Sequence, residues 1–175
     1  MSFRFLMLAG ALAAVCASGG APAPGRLLAA SAPGDVRIGE GTRHVRLLPA
    51  CGPDGRAVDI GARIAAAPRR RILLVIEDLR ARGQPGVLFD LKLASGRATG
   101  RRTHAAAIGT LNFFAAQKPG AAARPRAVSY DVTRTQRGLA AEGRLGGDLF
   151  VVIQPAGAPA PGADASVGRI ALVAQ

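Results

Sequence analysis

The sequence predicts an all-β domain, an antiparallel sandwich or jelly roll of about seven to eight strands with one short helix. Three observations predict it. Short runs of continuous or alternating apolar character recur along the chain, turn-forming residues separate them, and a helical period is nearly absent. The separators Cys51-Gly-Pro-Asp-Gly55, Gly83-Gln-Pro-Gly86, Lys118-Pro-Gly120 and the Pro/Gly/Ala stretch 155–162 fix or permit turn dihedrals, and each would break a helix.

Met1-Ser-Phe-Arg4 places one positive charge ahead of an apolar run from Phe5 to Val15 and then small residues, the three-part layout of a secretory signal peptide over 1–17. That run is too short for a membrane-spanning helix, which needs about 20 residues. A lipoprotein site at Cys16 is disfavoured by the bulky Val15 in front of it. The expected localisation is therefore secreted or periplasmic, with no membrane span. Residues 18–35 are mostly Ala, Gly, Pro and Ser and read as a disordered leader, so the domain is expected over 36–175.

The expected strands are His44–Leu48, Val58–Ile64, Ile72–Leu79, Val87–Ala94, Ala106–Phe114, Val128–Val132, Leu149–Gln154 and Val167–Val173. In the second, Val58, Ile60, Ala62 and Ile64 alternate with Asp59, Gly61 and Arg63, the pattern of a half-exposed strand. Between Arg71 and Leu93, two apolar runs flank Arg80-Ala-Arg-Gly-Gln-Pro-Gly86, which reads as a β-hairpin. Its second arm sets Phe89, Leu91 and Leu93 on one face and Leu88, Asp90 and Lys92 on the other. The one helix is expected over Thr133–Glu142, capped by Asp131 or Thr133 and ended by Gly143. No repeat of fixed period is present, which disfavours a propeller or solenoid.

The formal charge is +12, yet the bias is one of arginine over lysine throughout an Ala/Gly/Pro-rich chain, with no Trp and one Tyr to stack on bases. Nucleic acid is therefore not an expected partner; an acidic protein or polysaccharide fits the charge better. Loss of the signal peptide would leave Cys51 as a lone thiol, which excludes a disulfide framework. A type-1 copper site needs two histidines, a cysteine close before the second, and usually a methionine. His44 and His104 with a distant Cys51 do not meet it, so no metal or other cofactor is expected. His44 reads as a partly buried strand residue and His104 as a loop residue.

Catalytic residues are not expected either. Ser31, Ser95, Ser129 and Ser166 lack the setting of a nucleophile elbow, and Cys51 has only His44 nearby in sequence. Glu77 and Asp78 are neighbours on a strand and face opposite ways unless a bulge intervenes. Asp90 is expected to point outward and pair across strands with Arg80 or Arg82.

Three groups of segments, taken in order, carry a family resemblance. Ile72-Leu-Leu-Val-Ile-Glu-Asp-Leu79 with Leu88-Phe-Asp-Leu91 comes first, and Ile108-Gly-Thr-Leu-Asn-Phe-Phe114 follows. Tyr130-Asp-Val-Thr133, Leu149-Phe-Val-Val-Ile153 and Gly168-Arg-Ile-Ala-Leu172 complete the set. Over Arg37 to Val173 the chain resembles the C-terminal domain of tyrosinases and plant polyphenol oxidases. The plant domain is known for a Lys-Phe-Asp-Val motif; Leu88, Phe89, Asp90 and Leu91 keep its Phe-Asp centre and change both outer positions.

The resemblance implies a β-sandwich that packs over the entrance of a di-copper catalytic domain. That catalytic domain, with its six histidines, is absent from this sequence. The expectation is a non-catalytic exported domain that binds or shields a tyrosinase-like copper enzyme in trans. Its candidate partner contact is Phe113 and Phe114, since adjacent phenylalanines cannot both face the core from one regular strand. The rival expectation is a free-standing envelope or extracellular module that binds an anionic glycan or protein.

Overall fold

A computed structural model describes residues 26–96, 104–114, 116, 126–145 and 148–175. The expected signal peptide and the Lys118-Pro-Gly120 turn lie outside them. Nine antiparallel strands form one sheet: β1 (Arg26–Ser31), β2 (Val36–Ile38), β3 (Arg43–Pro49), β4 (Ile72–Arg80), β5 (Phe89–Gly96), β6 (His104–Leu111), β7 (Ala127–Asp131), β8 (Asp148–Pro155) and β9 (Ala165–Ala174). The lateral order is β6-β5-β8-β3-β1-β9-β4-β7, with β2 lying alongside β9 after β1. The expected all-β class holds, and the sheet is nearly closed: the Tyr130 hydroxyl on β7 donates to the Thr110 carbonyl on β6 at 2.8 Å. Gly109 admits the tyrosine ring, since a Cβ there would sit 3.2 Å from two ring carbons.

The strand pattern puts the core inside this curl. Phe89, Leu91 and Leu93 are buried while Asp90 and Lys92 are only half-buried, as the period of two requires. Leu28, Leu47, Leu74, Leu111, Ile153 and Leu172 join them in the main cluster. The alternate residues of β1, β4 and β9 form a second cluster, Ala30, Val75, Ala171 and Val173, on the opposite face. These central strands are therefore covered on both sides, which explains why β4 reads as a continuous apolar run.

Several expectations need correction. The Arg26-Leu-Leu-Ala-Ala-Ser31 segment, expected in a disordered leader, is β1, hydrogen-bonded between β3 and β9 with Leu28 to Ser31 buried. Its alanines are small because both faces are occupied, and small residues are what made the segment look featureless. The stretch read as a strand from Val58 is instead helix α1 (Ile60–Ala65). Ile60 and Ile64 are four apart, so they share a helix face as readily as a strand face, and both are buried. Asp59 decides the matter: its carboxylate accepts from the Ala62 N–H at 2.9 Å as an N-cap.

The expected hairpin is absent. β4 lies between β9 and β7, and β5 between β8 and β6, so the two apolar arms never pair. Periodicity assigned each arm its buried face but carried no information about its neighbour. The expected helix near Thr133 is α2 (Thr133–Ala141), followed by Gly143 at φ +65. Its N-cap position is Val132, and the Asp131 carboxylate accepts from the Thr133 N–H at 3.0 Å. Among the described residues there are thus two helices where one was expected. No described helix is long and apolar enough to cross a membrane.

Candidate docking end

All strands run parallel or antiparallel to one axis, so the sheet has two ends. β4, β6 and β8 finish, and β3, β5, β7 and β9 begin, at the end of interest. The candidate contact residues fall here. β6 stops at Leu111, and the chain then turns, which frees Phe113 and Phe114 from strand alternation. Phe113 is 2% exposed and meets Phe89 edge to face, with ring centroids 5.5 Å apart at 77°. Such a pair contributes about 0.5–1.5 kcal/mol beyond the area it buries.

Phe114 is the opposite case, 78% exposed. The Gln84 amide nitrogen donates to the carbonyls of Phe113 and Phe114 at 3.1 and 3.4 Å, tying this turn to the segment after β4. The turn thus presents an exposed aromatic ring on a tethered backbone. Leu88, also substantially exposed, precedes Phe89 at this end. Of the motif pair, Phe89 is fully buried and Asp90 stands opposite Thr110 and Gln154 on its neighbouring strands. The expected pairing of Asp90 with Arg80 or Arg82 does not occur, because β4 is not beside β5.

Those arginines belong to a cleft of about 600 Å³ at the same end. Arg80 is held by both oxygens of Asp78, with 3.0 Å from Nε to Oδ1, and its third nitrogen reaches Asp35 at 3.1 Å. Asp78 has φ +59 and is skipped in the β4–β9 ladder, which passes from Glu77–Arg169 to Leu79–Val167. A left-handed conformation at a non-glycine residue is costly, and here it aims a carboxylate at an arginine fork. Gly168 makes room, since a Cβ there would lie 2.9 Å from the Asp78 Cβ. Glu77 faces Arg169 at 3.9 Å, so the local irregularity serves two ion pairs.

Arg82 pairs with Asp164 at 3.3 Å across the same cleft. Arg37 and Arg43, also in its wall, make no side-chain hydrogen bond or ion pair among the described residues. Sequence reasoning missed this grouping because its four arginines come from three strands and a loop, with no shared spacing.

The other candidates are dispersed. His44 is exposed on β3, His104 opens β6, and β8 and β5 separate them. Among the described residues there is no group of three or more His, Cys, Asp or Glu side chains that could hold a metal. Cys51 is not a free thiol in the full chain, whereas the expectation of a lone thiol is for the chain without residues 1–17. The sequence has one other cysteine, Cys16, which lies outside the described residues. Ser31 is buried and accepts from the Ile170 N–H at 3.1 Å, a structural role. Ser95 is buried without a hydrogen-bond partner among the described residues, Ser129 is exposed, and Ser166 lies in the cleft wall.

Burial pushes the Tyr130 phenol above its ordinary range. Hydrogen bonds from the Thr133 hydroxyl and N–H, with Arg71 nearby, hold the Asp131 carboxyl below the usual carboxylate range. The arrangement presents an apolar projection and a basic cleft side by side, which is equipment for binding. No protein-family model matches the chain, and no curated protein matches it.

Proposed function

We propose that this domain covers the active-site entrance of a di-copper phenol oxidase carried on a separate chain, with Phe114 as the side chain that enters the entrance. The resemblance to tyrosinase C-terminal domains motivates the reading. The observation that carries it is the contrast between Phe113, locked in the core, and Phe114, 78% exposed on a backbone held by Gln84. An aromatic ring presented this way loses little conformational entropy on entering an apolar cleft, and buried aromatic anchors dominate interface energies. The domain itself performs no phenol oxidation in this reading; its role is to exclude substrate.

The test is capture from the native periplasm or medium with the full chain as bait, followed by copper analysis and a diphenol oxidation assay on what is retained. The expected result is a copper protein whose oxidation of diphenols falls on addition of wild-type domain and is restored when Phe114→Ala replaces it. Equal inhibition by Phe114→Ala, or capture without copper, overturns the proposal. Recovery of cell-wall polymer in place of an oxidase reassigns the chain as a free-standing envelope binding module. Diphenol oxidation by the purified domain supplied with copper would also refute it.

A further inference from the structure

We infer that the seam between β2 and β3 receives an extended acidic peptide from a partner protein, whose backbone adds to a free strand edge and whose carboxylates meet Arg37 and Arg43. The first observation is a gap in hydrogen bonding. β1 and β2 follow one another along the same edge of β9, and β1 has β3 on its far side. β3 pairs with β1 only from Leu47 to Pro49, while its Arg43–Arg46 part pairs with β8 alone. The far edge of β2, and the edge of β3 from Arg43 to Arg46 that faces away from β8, therefore have no ladder partner among the described residues. Unpaired edges are templates for another strand, and peptides that use them gain main-chain hydrogen bonds.

The second observation is the space. The cleft of about 600 Å³ takes Arg37 and Ile38 of β2, Arg43 of β3, and Gly39 and Glu40 of the link between them into its wall. Its volume is in the range of ordinary ligand sites. Exposed Ala160 and Pro161 and half-buried Pro159 add aliphatic surface that suits alternate side chains of an extended segment.

The third observation is charge. Arg80 and Arg82 are taken up by Asp78, Asp35 and Asp164, whereas Arg37 and Arg43 have no intramolecular partner among the described residues and face only Glu40 as an unpaired carboxylate in the wall. The chain's +12 adds long-range attraction for an acidic partner. A peptide fits better than an anionic glycan because Phe89, the one aromatic residue of the wall, is fully buried and offers no ring face to a sugar.

The inference goes beyond the oxidase reading, since Phe114 takes no part and any partner with such a segment would bind. Its test uses the full chain and a fluorescein-labelled hexapeptide of alternating glutamate and valine, read by anisotropy at fixed salt. The double variant Arg37→Gln/Arg43→Gln is expected to weaken binding by about tenfold or more, while Arg134→Gln, an exposed arginine on α2, changes it by less than about twofold. N-methylation of alternate peptide amides is expected to weaken binding to the wild-type chain to a similar degree. No binding at millimolar peptide, equal loss in Arg134→Gln, or indifference to N-methylation overturns the inference. Binding of oligogalacturonate without binding of the peptide does so as well. Loss of binding in the arginine variant with oxidase inhibition intact would leave the Phe114 proposal standing, and loss of inhibition in Phe114→Ala with peptide binding intact would leave this one.

Discussion

Where β4 begins and β9 finishes, two helices close the sheet; where β4 finishes and β9 begins, the described residues are strand ends and loops. The helical end uses its groups internally. Ile60 and Ile64 of α1 and Leu139 of α2 are buried, the Arg137 guanidinium caps the Pro68 and Arg70 carbonyls, and the Thr133 hydroxyl accepts from the Ile72 N–H at 2.8 Å. The loop end leaves groups over: the Phe114 ring, the guanidinium groups of Arg37 and Arg43, and the unpaired edges of β2 and β3. Folding alone accounts for the first set. The second set is what the two proposals above assign to binding, and its unpaired edges are open to another strand.

The sharpest way to break this contrast lies within one dipeptide. Phe113→Ala removes a fully packed ring and its edge-to-face partner contact with Phe89, and is expected to cost about 3–5 kcal/mol. Phe114→Ala is expected to change stability by less than about 0.5 kcal/mol, because its ring is already in water. Urea unfolding midpoints of the two variants decide it. If Phe114→Ala destabilised the protein as much as Phe113→Ala, the ring would be a core element and the loop end would have nothing left over.

That dipeptide also marks how far the sequence could be read. Two adjacent phenylalanines in one regular strand could not both face the core, but β6 ends at Leu111, so the turn after it, and not strand alternation, separates buried Phe113 from exposed Phe114. Faces were legible from alternation along β5 and β8. Partners were not: the period of β4 and β5 is identical whether they pair with each other or, as here, with β9 and β8. α1 escaped because isoleucines four apart satisfy both periods, and the Asp59 cap that separates the cases was the overlooked signal. β1 escaped because alanine is the residue of a crowded centre and also of a featureless leader. The cleft was illegible in principle, since its arginines converge only through the sheet order.

The helical end can be probed through Gln136, which is fully buried with neither amide atom hydrogen-bonded. A buried amide without partners costs about 1–3 kcal/mol relative to a group that needs none. Gln136→Leu, close in shape, is therefore expected to raise stability by roughly that amount, visible as a higher urea midpoint at unchanged slope. A loss of stability would show that the amide is satisfied, and that this end is less dry than its packing indicates.

The smallest expected effect concerns acid. Asp131, at the entrance to α2, is held below the usual carboxylate range first by the Thr133 hydroxyl, then by the Thr133 N–H, with a further contribution from Arg71. A carboxyl whose pKa is lower in the folded state than in the unfolded chain adds stability above its unfolded value of about 3.9, and that stability is lost as pH falls through the folded value. Because the group is well exposed, solvent screening limits the contribution to about 0.5 kcal/mol at most. Asp131→Asn keeps an acceptor for the Thr133 N–H and removes only the charge. The variant is thus expected to be slightly less stable than wild type at pH 7, with the gap closing as the pH of the urea titration is lowered below the ordinary carboxylate range. A gap that stayed constant down to pH 2 would mean that Asp131 acts through the shape of its cap, and that the helical end owes nothing to charge at this position.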